Sequence, residues 1–168
     1  MLPQVPETAA LSAAPQKMTE RPLRILLADD SADNRLLIRA YIKKTSYVLT
    51  EAENGQIAVE RFVDGSYDLV LMDIQMPVLD GYSAVRAIRE WEREHGKTHT
   101  PILALTASAL EEDVRRAKGA GCDMHVSKPV KKSTLLDAIA SAMENFGNSS
   151  ATDANIVPPV AAVAEFCI

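Results

Sequence analysis

Five residues whose types could do chemistry close short apolar runs. Leu23-Arg24-Ile25-Leu26-Leu27-Ala28 stops at Asp29-Asp30, and Leu69-Val70-Leu71-Met72 stops at Asp73. Pro101-Ile102-Leu103-Ala104-Leu105 ends at the hydroxyl of Thr106, and Met124-His125-Val126 runs into Ser127-Lys128-Pro129. Short continuous apolar runs read as strands buried on both faces, as inside a parallel sheet. In such a sheet the four ends point the same way. Three carboxylates, one hydroxyl and one ammonium then gather at a single rim, where open α/β sheets bind their ligands. Alone, Asp73 reads equally well as a strand terminator or a site residue. The second acidic strand end, Asp29-Asp30, favours a site.

Hard oxygen ligands without Cys or His suit Mg²⁺ or Mn²⁺. A divalent ion offsets most of the charge of Asp29, Asp30 and Asp73 and leaves one carboxylate free as a nucleophile. A carboxylate can accept a phosphoryl group as an acyl phosphate. That transfer needs positioned cations and donors around the equatorial oxygens. Lys128 offers a point charge and Thr106 a hydroxyl donor. A Rossmann-type nucleotide site would need a Gly-rich turn after the first strand, but Asp29-Asp30-Ser31 stands there and would repel a nucleotide or flavin phosphate.

The elements that must position these residues follow from periodicity. Ser31 or Asp33 can cap a first helix whose buried face is expected to be Leu37, Ile38, Tyr41 and Ile42, with Asn34 sharing it. Leu36 and Ala40 point away from that stripe, as an exposed apolar patch or as a docking contact for a partner helix. Tyr47–Ala52 is a more polar, edge-type strand. Asn54-Gly55 opens a second helix with Ile57, Ala58, Arg61 and Phe62 in register. Asp80-Gly81 leads into a third helix carrying Val85, Ile88 and Trp91. A fourth helix is expected from Leu110 to Lys118, ended by Gly119 and Gly121. Ser133 starts the last, with Leu135, Leu136, Ile139 and Met143 as its stripe. Five βα units of this kind predict a doubly wound α/β domain, a five-stranded parallel sheet with helices on both faces.

Composition bounds the rest. The 168 residues divide into an Ala/Pro/Thr-rich tail or linker over 1–22, one domain over 23–146, and a second tail or linker over 147–168. Val160 to Ile168 is apolar enough to dock on something. The net charge of −5 argues against a nucleic-acid surface. No apolar run approaches the roughly 18 residues of a membrane span, and no secretory signal opens the chain. Cys122 and Cys167 make no disulfide framework, so a reduced, cytoplasmic chain is expected.

With those residues in place, the chain from Leu23 to Phe146 resembles a response-regulator receiver domain (CheY-like) of two-component signalling. The resemblance rests on Asp29-Asp30, Asp73, Met76-Pro77 with Asp80-Gly81, Thr106-Ala107 and Lys128-Pro129, in order at successive strand ends. It implies a flavodoxin-like (βα)5 fold with strand order 2-1-3-4-5. It implies Asp73 as the phosphoacceptor, with Asp30, Asp73 and the main-chain carbonyl of Gln75 as Mg²⁺ (or Mn²⁺) ligands. Asp29 would hold the metal through water. Lys128 would pair with Asp73 and then with the phosphoryl oxygens, and Thr106 would act as a switch. A cis Lys128-Pro129 bond is common in the family. Asp33-Asn34-Arg35-Leu36-Leu37-Ile38 and the loop after Asp73 look like receivers of hybrid sensor histidine kinases. Leu36 and Ala40 would then dock a sensor histidine kinase or a histidine-phosphotransfer helix.

One position departs from the pattern. Where the family often has Tyr or Phe on the fifth strand as a rotamer switch, this chain has His125, which either takes that part or is an inert half-buried ring. Three functions remain to weigh. The first is a phosphorylatable receiver, free-standing or part of a hybrid kinase, that assists its own phosphorylation and dephosphorylation without being an enzyme proper. The second is a receiver-like module that signals by contact alone, which usually lacks one of the residues present here. The third is an aspartyl phosphatase like the haloacid dehalogenases, which carry a second Asp where this chain has Gln75. The C-terminal tail is too short for an output domain, so any output is expected through a downstream protein partner.

Overall fold

A computed structural model describes residues 21–146. The expectations for the two tails, including Cys167 and Val160–Ile168, therefore lie outside the described residues, apart from Arg21 and Pro22. The strands are β1 (Arg24–Ala28), β2 (Val48–Ala52), β3 (Leu69–Asp73), β4 (Ile102–Thr106) and β5 (Met124–Ser127). The helices are α1 (Ala32–Ile42), α2 (Gly55–Asp64), α3 (Gly81–Glu94), α4 (Glu111–Ala120) and α5 (Lys132–Phe146). All strand pairs are parallel, in the order β2-β1-β3-β4-β5. The doubly wound architecture and strand order match the expectation, and β2 is the edge strand its polarity indicated.

Strand parity divides the core into two layers. Leu26, Ala28, Val70, Met72, Ile102 and Ala104 pack with α2, α3 and α4 through residues such as Ala58, Phe62, Val85, Ile88 and Ala117. Ile25, Leu27, Leu69, Leu71, Leu103, Leu105 and Val126 pack on the other face with Ile38 of α1 and Leu135, Ile139 and Ala142 of α5. Apolar area on both faces of β1, β3 and β4 leaves water together, which is why these strands read as unbroken apolar runs. The same parity has a consequence at the rim. Asp29, Asp73 and Lys128 continue the series Ile25-Leu27, Leu69-Leu71 and Val126, so all three belong to the α1/α5 side.

The starts of α1, α2 and α3 follow the capping rule, while Leu110 before α4 offers no side-chain cap. Ser31 Oγ accepts from the Asn34 N–H, Asn54 Oδ1 from Ile57 and Asp80 Oδ1 from Ser83. Three details differ from the sequence reading. Leu37 is 41% exposed, because the buried stripe of α1 runs through Ile38 and Ile42 and Leu37 lies about 100° away from Ile38. Arg61 is exposed, while Gly55, Ala58 and Phe62 make the buried face of α2. Gly119 lies inside α4, and the stop is Gly121 alone. Gly121 sits at φ 110, with its N–H donating to the Lys118 carbonyl and that of Cys122 to Ala117, the paired bonds of a left-handed helix end. In α5, Ala138 and Ala142 are buried beside Leu135 and Ile139, while Leu136 and Met143 are half-buried.

At the rim opposite the acidic cluster, Arg89 of α3 ties the turns together. Its guanidinium donates to the carbonyls of Gly121 (3.0 Å) and Thr100 (2.8 Å), to Glu92 Oε2 (2.6 Å) and to Asp123 Oδ2 (2.8 Å). Glu92 and Asp123 also accept from the N–H groups of Thr100 and Ile102. Removing the cation would take the ion-pair partner from the largely buried Glu92 and leave Asp123 with the His99 ring at 2.7 Å. Arg89→Ala is expected to lower unfolding free energy by about 3 kcal/mol, read by urea denaturation. A loss under about 1 kcal/mol would show the network to be an ordinary surface pair.

Candidate functional site

The acidic strand ends meet as expected. Asp29, Asp30 and Asp73 each present a carboxylate oxygen, and these atoms lie within 4.8 Å of one another. Asp29 is fully buried and Asp73 is 3% exposed, whereas Asp30 faces solvent. The Lys128 ammonium reaches both buried members, at 3.1 Å from Asp29 Oδ2 and 3.0 Å from Asp73 Oδ2.

Local hydrogen bonds hold each carboxylate. Asp29 Oδ1 accepts from the Ser31 N–H (2.9 Å), and Asn34 Nδ2 donates to both of its oxygens (3.3 and 3.2 Å). Asp73 Oδ1 accepts from the Gln75 N–H (3.2 Å). The chain can leave β3 so tightly because Gly81 passes against it. A Cβ there would lie 2.2 Å from the Asp73 carbonyl, and the Gly81 N–H donates to Ile74 at 2.9 Å. The Lys128–Pro129 peptide is cis, as the resemblance implied. Gln75 is exposed beside the cluster.

Thr106 is 5% exposed, and its hydroxyl donates to the Ser108 carbonyl at 2.7 Å. Its parity places it with Ile102 and Ala104, on the face opposite to Asp73. His125 is half-buried among residues of α4 and its flanks, including Val114, Ala117 and Cys122, and burial pushes its pKa down. Leu36 is 61% exposed, with Ala40 and Leu37 beside it, so α1 does present an apolar outer face.

The electrostatics are those of a crowded site. Burial pushes the Asp73 carboxyl above its ordinary value. Lys128 pulls it down through its hydrogen bond and charge, while Asp29 pushes it up again. Burial works against the Lys128 ammonium, yet bonds and charges from Asp73 and Asp29 outweigh it and raise its pKa. A single salt-bridge partner would lower Asp73. Here the ammonium is shared between two carboxylates, so its pull is insufficient against burial and Asp29. Three carboxylates and one ammonium carry a formal charge of −3 + 1 = −2. A divalent cation on hard oxygen ligands fits both that charge and the donor types.

Sequence reasoning missed three supports: the Asn34 amide, Arg35 and Glu51. The signal for Asn34 was present, since an amide on the buried face of a helix needs a partner. Arg35 Nη1 donates to the Asp29 carbonyl at 2.7 Å and its Nε to Glu51 Oε2 at 3.3 Å. That contact spans β1 and β2 and leaves no trace in periodicity.

The raised Asp73 pKa has a definite sign. A carboxyl with a higher pKa in the folded state stabilises the fold below its unfolded value, and that contribution is lost as pH rises through the folded value. In metal-free buffer at neutral pH, Asp73→Asn should therefore raise the urea midpoint, with the gain shrinking as pH falls toward the ordinary carboxylate range. A lower midpoint for the variant at neutral pH would contradict the electrostatics described.

Comparison with known proteins agrees with this geometry. Residues 25–140 match the family model described as "Response regulator receiver domain". The chain is 44% identical over 122 residues to "Two-component response regulator ORR41" of Oryza sativa subsp. japonica, covering 70% of this chain and 92% of that protein. It is 35% identical over 122 residues to "Sensor protein GacS" of Pseudomonas syringae pv. syringae, covering 73% of this chain but only 14% of the relative. Among solved structures it is similar to the receiver domain of Saccharomyces cerevisiae Ssk1 in its co-crystal with Ypd1. That likeness has a TM-score of 0.66 at 31% identity and covers 79% of this chain and 93% of that one. The family match, the parallel β2-β1-β3-β4-β5 sheet and the acidic rim agree: the chain belongs to the response-regulator receiver family of two-component signalling.

Proposed function

We propose that this receiver accepts a phosphoryl group on Asp73, with Mg²⁺ (or Mn²⁺) bound by Asp30, Asp73 and the Gln75 main-chain carbonyl, and by Asp29 through water. The observation that carries this reading is the single cluster of Asp29, Asp30, Asp73 and Lys128, charged −2 and open to solvent through Asp30. When bound, the cation offsets carboxylate charge and shields an incoming phosphoryl group from it. The reaction joins a carboxylate oxygen of Asp73 to phosphorus. The bond from phosphorus to a histidine nitrogen, or to the oxygen of a small acyl phosphate, breaks. Its electron pair leaves with the donor. No general base is required, because Asp73 attacks as the carboxylate.

Lys128 already sits 3.0 Å from Asp73 Oδ2, where it can follow the charge onto the phosphoryl oxygens. The Thr106 hydroxyl is engaged by the Ser108 carbonyl. Turning it toward a phosphoryl oxygen releases that carbonyl and frees the loop leading into α4, which is a route from chemistry to conformation. His125, against α4, lies where such a change would be felt. The chain assists its own phosphorylation and dephosphorylation rather than turning over a separate substrate.

The donor we infer is a sensor histidine kinase or a histidine-phosphotransfer protein in the cytoplasm, docking on the exposed Leu36, Leu37 and Ala40 of α1. The structurally similar Ssk1 receiver was crystallised with the histidine phosphotransfer protein Ypd1, which supports that donor class. A downstream protein partner completes the reading, with no nucleic-acid or membrane contact by this segment. No described helix is long and apolar enough to cross a membrane.

Two experiments test the proposal. Intact mass after incubation with acetyl phosphate should show a Mg²⁺-dependent phosphoryl adduct that EDTA and Asp73→Asn both abolish. An adduct that survives in the variant would place the acceptor elsewhere. Leu36→Asp should slow transfer from a phosphohistidine donor about tenfold or more, through one desolvated charge in the interface, and leave acetyl phosphate labelling unchanged. Equal rates with both donors would remove α1 from the docking surface.

A further inference from the structure

The corner between β2 and α2, residues 51–55, contributes nothing to the acidic cluster, yet both loops that flank the cluster are bonded to it. On the first side, Glu51 at the end of β2 accepts from Arg35 Nε at 3.3 Å, and Arg35 Nη1 donates to the Asp29 carbonyl at 2.7 Å. Arg35 and Glu51 side chains are only 17% and 20% exposed. The neighbouring Ala52 carbonyl accepts from the Asp29 N–H at 3.1 Å. Asp29 is thus held at its N–H, its carboxylate and its carbonyl. The last of these fixes the peptide from which the exposed Asp30 starts.

On the second side, the Gly55 N–H donates to the Leu79 carbonyl at 3.2 Å. A Cβ on Gly55 would fall 2.2 Å from that oxygen and 3.0 Å from its carbon, both backbone atoms, so the approach is open only to glycine. Leu79 belongs to the loop that starts from Gln75. In that loop Val78 adopts φ 71, a conformation that β-branched residues avoid. Such a backbone persists only where its surroundings impose it. The Leu79 N–H closes a tight turn across Val78 onto the Pro77 carbonyl at 2.8 Å, the Gly55 N–H holds the Leu79 carbonyl beyond it, and the Gly81 N–H to the Ile74 carbonyl closes the loop.

We propose that the β2–α2 corner is the positioning element of the cation site, with Arg35 as its positioning residue. It sets the spacing between the Asp29-Asp30 turn and the Gln75 loop from outside the cluster. A small divalent cation demands near-ideal ligand geometry, so ligands drawn from two loops must be held relative to each other. A shared corner does this, since Glu51 and Gly55 are separated by one turn of chain. This inference rests on the metal-dependent reading above.

The test uses the full chain, with Mg²⁺ affinity by calorimetry and amide hydrogen exchange on metal-free protein. Arg35→Gln should raise the Mg²⁺ Kd about tenfold, in the range of supporting-shell losses. Arg35→Lys should not restore it, because one ammonium does not span the Asp29 carbonyl and Glu51 as the guanidinium fork does. Gly55→Ala should weaken Mg²⁺ through the other loop. Arg39 also bonds Glu51 but makes no contact to Asp29 among the described hydrogen bonds, so Arg39→Ala should leave Kd within about twofold. Without metal, Arg35→Gln should accelerate exchange at the Asp29 amide, which donates to the Ala52 carbonyl of the corner. Parent affinity in Arg35→Gln with parent exchange at Asp29, or full recovery in Arg35→Lys, would overturn the inference. A parent chain that binds no Mg²⁺ would overturn the functional reading instead, and the exchange arm would still decide what Arg35 holds.

Discussion

Two buried carboxylates share one ammonium. Asp29 and Asp73 both lie against Lys128, and both are almost wholly buried. Burying a charge without full compensation is among the most expensive things a fold can do. Most of the surrounding structure serves to make that arrangement tolerable. Asn34, Ser31 and Gln75 direct N–H groups at the carboxylates, Gly81 brings the chain close enough to do so, and Asp30 keeps one side of the cluster open to solvent. The compensation is incomplete, which is why Asp73 is harder to ionise than an ordinary aspartate. A cluster left short of positive charge, on hard oxygen donors, fits a divalent cation.

The rest of the fold follows from placing that cluster at a strand rim. Parallel strands send their carboxyl ends one way, and parity sends Asp29, Asp73 and Lys128 to the same side of the sheet. Thr106 has the other parity, that of Ile102 and Ala104, and its hydroxyl is held by the Ser108 carbonyl on the way into α4. The opposite rim carries paired charges, Arg21 with Asp68 and Arg89 with Glu92 and Asp123. Arg89 there is enclosed by Glu92, Asp123 and two carbonyls, a network that fastens turns. One end of the sheet is stapled and the other is left electrostatically unfinished.

Much of this was legible in the sequence, for physical reasons. A strand buried on both faces must be apolar throughout, so an Asp, Thr or Lys at its end stands out, and the four charged residues that the structure brings together, Asp29, Asp30, Asp73 and Lys128, are visible for that reason. The five βα units and the edge character of β2 followed from the same contrast. Leu37 was misplaced because hydrophobicity marks only what is able to be buried. The stripe that α1 buries, Ile38 and Ile42, is set by which face packs on the sheet, and that is a tertiary property. Gly119 reads as a stop because glycine signals helix ends, but it lies inside α4, and Gly121 has the left-handed backbone that ends the helix. Arg35 and Glu51 leave no signal, since a helix side chain that bonds the Asp29 carbonyl and a carboxylate on β2 is fixed by how α1 lies on the sheet and not by any local pattern.

The central claim is that the uncompensated charge of this cluster is completed by a divalent cation. The direct test is the unfolding free energy of the whole chain in EDTA and at increasing Mg²⁺, at constant ionic strength. Binding to the folded state alone should raise stability with the logarithm of free Mg²⁺, by about 2.7 kcal/mol at a hundredfold excess over Kd. Stability that does not change with Mg²⁺ at constant ionic strength would contradict the account, and would leave Asp29, Asp30 and Asp73 as a cluster balanced by Lys128 alone.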